Sequence, residues 1–253
     1  MGTKMKAATR KKYCSPEQIE VKTVLKPSPK KDEVLIRIHA SSVNRTDCAN
    51  LTAKPFIMRL VLGLLKPRQI ILGTEFAGEV EAVGDNVKTV SPGSRVFGFN
   101  DIGSKSQAEY VCLTTEHIFI IPQNTDYTLA AGSLEGAHYA YSFIKKVNIQ
   151  RGQSVLINGA TGGIGSALIQ FVKQYDVKIT ATCNTQNTEL IKSLGANKVI
   201  DYLKEDFTKS NGSYDFIFDA VGKSTFKKCK SLLKDGGIYI SSEPGPYSQN
   251  VFL

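Results

Sequence analysis

A glycine turn in the second half of the chain leaves few folds open to it. Residues 154–158 (SVLIN) form a short apolar run that reads as a buried strand, and they pass directly into Gly159-Ala160-Thr161-Gly162-Gly163-Ile164-Gly165. Apolar residues then recur at 164, 167, 168, 171 and 172, which predicts a helix over 164–174. Strand, glycine turn and helix in that order make a phosphate cradle. Glycines let the backbone come close to a pyrophosphate, and the helix start offers unpaired N–H groups and the positive end of its dipole. The seven residues 159–165 are therefore candidate cofactor contacts.

The rest of the second half keeps the same rhythm. The pattern predicts helices over 129–147, 189–194 and 226–233, and strands over 177–182, 198–200, 214–221 and 237–241. Alternation of this kind implies βαβ units on a parallel sheet, and right-handed crossovers make that a doubly wound (Rossmann) α/β fold. A site selective for NAD carries Asp or Glu about twenty residues past the glycines, on the ribose 2′-hydroxyl. Here that segment is Thr182-Cys183-Asn184-Thr185-Gln186-Asn187, and the first acid is Glu189. Hydroxyls and amides accept a 2′-phosphate better than a carboxylate does. The expected cofactor is NADP, with Thr182, Asn184 and Asn187 as contacts. No arginine stands in the segment, and Lys178 and Lys192 are the nearby cations.

Before Pro122 the chain reads differently. Residues 34–40 (VLIRIHA) alternate apolar and polar, and 78–83, 95–99, 108–113 and 118–121 read as further short strands between Gly-Asp-Asn and Ser-Pro-Gly turns. The series argues for a small antiparallel β-barrel. It is interrupted at 56–65 (FIMRLVLGLL) by a short amphipathic helix or lid, too short to span a bilayer and carrying Arg59. Two domains follow from the change of rhythm, 1–126 and 127–253.

Composition bounds the remaining classes. With 42% apolar and 22% charged residues the chain is ordinary for a globular protein, which excludes disorder. Lys and Arg outnumber Asp and Glu by 32 to 23, a net charge of +9. The basic residues are spread out, without aromatic interleaving or a nucleic-acid module, so the expectation is a solvated basic surface with neither nucleic acid nor membrane as partner. Five cysteines without a C-x-x-C fit neither a disulfide framework nor a zinc lobe. Residues 1–14 lack the apolar core of a signal peptide, and a cytoplasmic location is expected.

A strand-rich first domain followed by a dinucleotide-binding domain resembles the medium-chain dehydrogenase/reductase superfamily. The run Gly73-Thr74-Glu75-Phe76-Ala77-Gly78-Glu79-Val80, with Gly84 beyond it, resembles its glycine-spaced signature. Residues 152–165 (GQSVLINGATGGIG), with Gln170 and Lys173, are similar to the quinone oxidoreductase (zeta-crystallin-like) branch. The resemblance runs from about residue 5 to 245 and implies a GroES-like barrel domain joined to a Rossmann domain. It also implies that Tyr202 lines the adenosine phosphate, while Asn187 stands where some relatives use a lysine.

Departures from the superfamily bear on chemistry. Its zinc-dependent alcohol dehydrogenases carry Cys where this chain has Asn44, His where Thr74 stands, and a four-cysteine lobe that this sequence lacks. An amide and a hydroxyl replace thiolate and imidazole poorly, and His39, His117 and His138 share no metal-ligand spacing, so no metal is expected. The reaction needing least help at oxygen is hydride transfer to the β-carbon of a conjugated enone or quinone, because the substrate spreads the developing charge itself. The resemblance implies the same chemistry, and an aldehyde is a further candidate substrate. It places Asn44 and Asp47 beside the nicotinamide–substrate cleft, and Tyr139 where relatives often have a nicotinamide-contacting Thr. These three are the candidate catalytic residues, with a helix cap (Asp47) and a core tyrosine (Tyr139) as alternatives.

Two other functions stay open: a dinucleotide-binding protein without turnover, as a redox sensor or structural protein, and a metal-free alcohol or aldehyde oxidoreductase. After 237–241 only 242–253 remain, where relatives continue through a sixth strand. The expectation is a Rossmann sheet lacking its last strand, with an exposed edge prone to association. Homodimers of the branch pair through that strand, so pairing of this kind is expected to be weakened.

Overall fold

The chain divides into two units, Met1–Leu134 and Glu135–Leu253, and the computed structural model describes residues 2–242. In the first unit, β1 (Lys4–Thr9) pairs antiparallel with β2 (Glu20–Leu25). β1 does not stand out in the sequence, because Lys4 and Lys6 alternate with Met5 and Ala7 before Ala8 and Thr9 and mimic a basic tail. Met5, Ala7 and Thr9 are buried. Five more strands, β3 (Glu33–Ser41), β4 (Glu75–Val83), β5 (Arg95–Phe99), β6 (Tyr110–Thr114) and β7 (Ile118–Ile120), form an antiparallel sheet in the order β6-β3-β4-β5-β7. Their two-residue period turns Val34, Ile36, Phe76, Val80, Val96 and Val111 into one core.

Helix α1 (Arg45–Thr52) follows β3. The stretch 56–65 does not make one amphipathic helix: a single 3-10 turn, Phe56–Met58, runs into the one-turn helix α2 (Arg59–Leu62). A single helix over 129–147 does not form either. α3 (Tyr127–Ala131) and α4 (Leu134–Ile144) flank Gly132 and Ser133, and glycine is a poor helix former. The Asp126 carboxylate caps α3 by accepting the Leu129 N–H at 2.7 Å, and Ala130 and Ala131 pack with Ala77 and Ile121. That packing carries the division of the chain from 126/127 to 134/135.

In the second unit, β8 (Ser154–Asn158), β9 (Lys178–Cys183), β10 (Lys198–Asp201), β11 (Tyr214–Asp219) and β12 (Leu233–Ser241) are all parallel, in the order β10-β9-β8-β11-β12. Three helices, α5 (Gly163–Val172), α6 (Thr188–Leu194) and α7 (Phe226–Cys229), join them. Val155, Ile157, Phe216 and Phe218 are buried on one face of the sheet, Leu156 and Ile217 on the other, which is why β8 and β11 read as unbroken apolar runs. β8 lies between β9 and β11, where the strand order reverses, and open α/β sheets bind ligands at that point. β11 stops at Asp219, short of 221, because its carboxylate takes the N–H groups of Val221, Gly222 and Ser224. The expectations drawn from the end of the chain fall on 243–253, outside the described residues.

Candidate active site

The glycine turn separates into pinned and exposed residues. Gly159 has φ +81°, and a Cβ there would fall 2.4 Å from Val221 Cγ1; one on Gly165 would fall 2.2 Å from the Gly159 oxygen. Ala160 is buried and its N–H donates to the Thr182 carbonyl at 3.0 Å. Ile164 packs half-buried against the core. Thr161, Gly162 and Gly163 lie exposed at the tip. A Cβ on Gly162 would come no nearer than 3.6 Å to the Gly159 oxygen, and one on Gly163 no nearer than 3.8 Å to Gly136 Cα. Packing therefore demands glycine at 159 and 165 but not at 162 or 163.

A buried polar chain braces this turn. The Thr182 hydroxyl accepts the Gly159 N–H at 3.0 Å and donates to Asn158 Oδ1 at 2.7 Å. Asn158 Nδ2 donates to Asp219 Oδ1 at 3.0 Å, and the Tyr239 hydroxyl donates to Asp219 Oδ2 at 3.0 Å. Burial, then the Asp219 charge, pushes the Tyr239 phenol above its ordinary range. Thr182 is thus fully buried, with its hydroxyl committed inward.

A pocket of about 310 Å³ opens at the C-terminal ends of four strands. Asn158 and Gly159, Thr182, Tyr202, and Val221 with Lys223 line it in turn, together with Thr161 and Phe207. Phe207, Val221 and Lys223 were not legible as site residues from motif spacing. The available signal was position, since Val221 and Lys223 follow the C-terminal end of a parallel strand. Asn184 and Asn187 meet each other, the Asn187 amide donating to Asn184 Oδ1. Thr185 donates to the Asp201 carboxylate, which also accepts the Leu203 N–H at 3.0 Å and lies 3.6 Å from Lys204 Nζ. That Thr185 bond holds the Asp201 carboxyl below its ordinary range. No acid lies within 182–187, but the β9–β10 register sets Asp201 opposite Cys183 and supplies one through space.

Tyr139 lies half-buried on α4, three residues past Gly136 and so on the same helical face. Gly136 abuts the turn: a Cβ there would lie 2.6 Å from the Gly163 oxygen. The Tyr139 ring stands edge-on to His138 with centroids 5.4 Å apart.

In the first unit, Asn44 and Asp47 form a reciprocal cap on α1. Asn44 Oδ1 accepts the Asp47 N–H at 2.8 Å, and Asp47 Oδ2 accepts the Asn44 N–H at 3.2 Å. Asn44 Nδ2 donates to Thr74 Oγ1 at 2.8 Å and lies 3.5 Å from Ser42 Oγ. Ser42 donates to Glu75 Oε2 at 2.8 Å, and Glu75 Oε1 accepts the N–H of Leu134, the last residue of this unit, at 2.7 Å. Burial raises the Asp47 carboxyl. Asn44 and Thr74, standing where zinc enzymes of the resembled superfamily carry Cys and His, are bonded to each other, and this donor set does not fit zinc. Among the described residues no three His, Cys, Asp or Glu gather as a cation site.

The sequence model of the alcohol dehydrogenase GroES-like domain matches residues 30–149, and that of the zinc-binding dehydrogenases matches 163–241. A chloroplastic NADPH-dependent alkenal/one oxidoreductase of Arabidopsis thaliana is 31% identical over 225 residues, 85% of this chain and 56% of that protein. A chloroplastic quinone oxidoreductase of Triphysaria versicolor is 31% identical over 233 residues, 87% of this chain and 69% of that protein. Among solved structures, the quinone oxidoreductase of Coxiella burnetii superposes with a TM-score of 0.85 at 27% identity, covering 94% of this chain and 75% of that one.

Proposed function

The chain belongs to the medium-chain dehydrogenase/reductase superfamily, in the quinone oxidoreductase branch, and on that premise we propose that it is a zinc-independent reductase of conjugated enones or quinones that uses NADPH. The observation carrying this reading is the exposed Thr161-Gly162-Gly163 tip beside the pocket, where a Cβ at 162 or 163 would meet no atom closer than 3.6 Å and glycine is not demanded by packing. A dinucleotide fits that cradle, with its pyrophosphate at the start of α5 and Tyr202 and Lys223 along the pocket wall. Bound there, the reduced nicotinamide would supply the hydride.

When two electrons arrive at the β-carbon of an enone, the π pair moves onto the carbonyl oxygen. The Asn44 amide, held in orientation by the cap on its Oδ1, is the donor we assign to that oxygen, its Nδ2 keeping the bond to Thr74 and turning its second N–H from the long contact with Ser42 Oγ. Tyr139 is the phenol assigned to deliver the proton to the α-carbon. This chain spans 56% of its alkenal-reducing relative, so the substrate class rests on that protein's activity and on the donor set together. The same reading keeps the protein in the reducing cytoplasm, supported by five cysteines that all stand free.

A second reading, NADH in place of NADPH, is favoured by Asp201, whose carboxylate sits opposite the end of β9. Fluorescence titration with each nucleotide separates the two. Saturable binding that favours NADPH tenfold or more, about 1.4 kcal/mol, is the expected result, followed by NADPH oxidation across a panel of enones and quinones. Preference for NADH overturns the cofactor assignment. Failure to bind either nucleotide removes the enzymatic reading.

A further inference from the structure

The first unit carries a concentrated apolar surface. Phe56, Ile57, Leu60, Val61, Leu64 and Leu65 are each at least 52% exposed, and Leu65 is 89% exposed. Scattered exposed apolar residues are ordinary, but six within ten residues are not. The segment is held as a platform. Leu62 is buried beneath it, the Tyr13 hydroxyl donates to the Gly63 carbonyl at 2.5 Å, and the Arg68 N–H donates to the Leu62 carbonyl at 2.8 Å. Arg59 lays its guanidinium over the rings of Tyr13, at 4.9 Å, and Phe56, at 5.1 Å.

Charge selects the occupant. From residue 48 to residue 74 there is no Asp or Glu, while Lys54, Arg59, Lys66 and Arg68 give the stretch a charge of +4. Lys54, Lys66 and Arg68 are exposed beside the apolar residues. A second copy of the same face would bring like charges together. A single-stranded nucleic acid would want several aromatic platforms, and Phe56 is the only aromatic residue in the segment. Apolar side chains flanked in sequence by exposed cations match the headgroup region of an anionic bilayer, which takes side chains of this kind to the acyl boundary and attracts each nearby cation.

We infer that residues 54–68 dock the protein on the surface of membranes containing anionic lipid. The inference departs from the expectation, drawn from the spread of basic residues, that no membrane is a partner, and the experiment below decides between them. The contact is peripheral, since no described helix is long and apolar enough to cross a bilayer.

Co-sedimentation of the full chain with vesicles tests the inference. Vesicles of phosphatidylcholine plus phosphatidylserine are expected to carry the protein down, and pure phosphatidylcholine vesicles to leave it in solution. Lys66→Ala should weaken partitioning roughly fivefold, the worth of one cation at an anionic surface. The double variant Leu60→Asp, Leu65→Asp should lose at least tenfold, and thermal unfolding at the wild-type temperature would show that it still folds. Absence of sedimentation with anionic vesicles overturns the inference. So does equal sedimentation with neutral vesicles, or full retention of binding by the double variant. A lipid-free dimer abolished by the double variant, with vesicle binding unchanged, would assign the face to a second copy and overturn it as well.

Discussion

Asp219 has no exposed surface, yet its two oxygens accept from an asparagine amide, three backbone N–H groups and a tyrosine hydroxyl. Asp219→Ala removes the partner of all five donors and leaves two of them, Asn158 Nδ2 and the Ser224 N–H, stranded in the interior. Because each buried unpaired donor costs about 1–3 kcal/mol, the variant should lose about 3 kcal/mol or more of stability, measured from its urea unfolding midpoint. Asn44 makes a different test. Asn44→Ala removes the cap of α1, worth about 1 kcal/mol, and the donor assigned to the substrate oxygen. It should lower kcat far more than it weakens NADPH binding, and an unchanged kcat would take Asn44 out of the active site. The spacing Asn44…Asp47 served both a cap and a site reading in the sequence. Only the bond from Asn44 to Thr74, 30 residues away, shows the network to which the pair belongs.

The elements differ in how far local sequence dictates them. The glycine turn was legible because strand, turn and helix all lie within about twenty residues, and each step has a local cause. The β1–β2 pair and the place of Asp201 depend on tertiary packing or on register between strands, which no single stretch records. The turn itself yields a paired prediction. Gly165→Ala puts a methyl 2.2 Å from the Gly159 oxygen and should unfold the second unit at markedly lower temperature. Gly162→Ala meets nothing nearer than 3.6 Å. It should keep the wild-type melting temperature while binding NADPH at least tenfold more weakly. Calorimetry and nucleotide titration of the two variants read the two effects separately.

At the scale of the molecule, each unit has its own core and its own cysteines, so thiol chemistry can follow both at once. The thiolate is the reactive form. Cys48 is exposed and should label first. Burial pushes the half-buried Cys112 thiol up to about 11, so its labelling should be slow at neutral pH and accelerate as the solution becomes alkaline. Cys183 and Cys229 are buried in the second unit and should label only as that unit opens. Mass spectrometry of the labelled peptides along a urea series checks the order, and early modification of Cys183 would contradict the burial described. The order of the two domains was plain in the change of rhythm near residue 122. Their boundary was not, because α3 belongs by packing to the sheet that precedes it.

The split between pinned and exposed glycines also bears on descent. In any lineage that kept this fold but gave up its nucleotide, substitutions at 162 and 163 would pass unnoticed by folding, while 159 and 165 would stay under constraint. If the proposed nucleotide site is right, those two tip positions act as a record of use: glycine there would mark a descendant still selected to hold a dinucleotide, and larger residues one released from it.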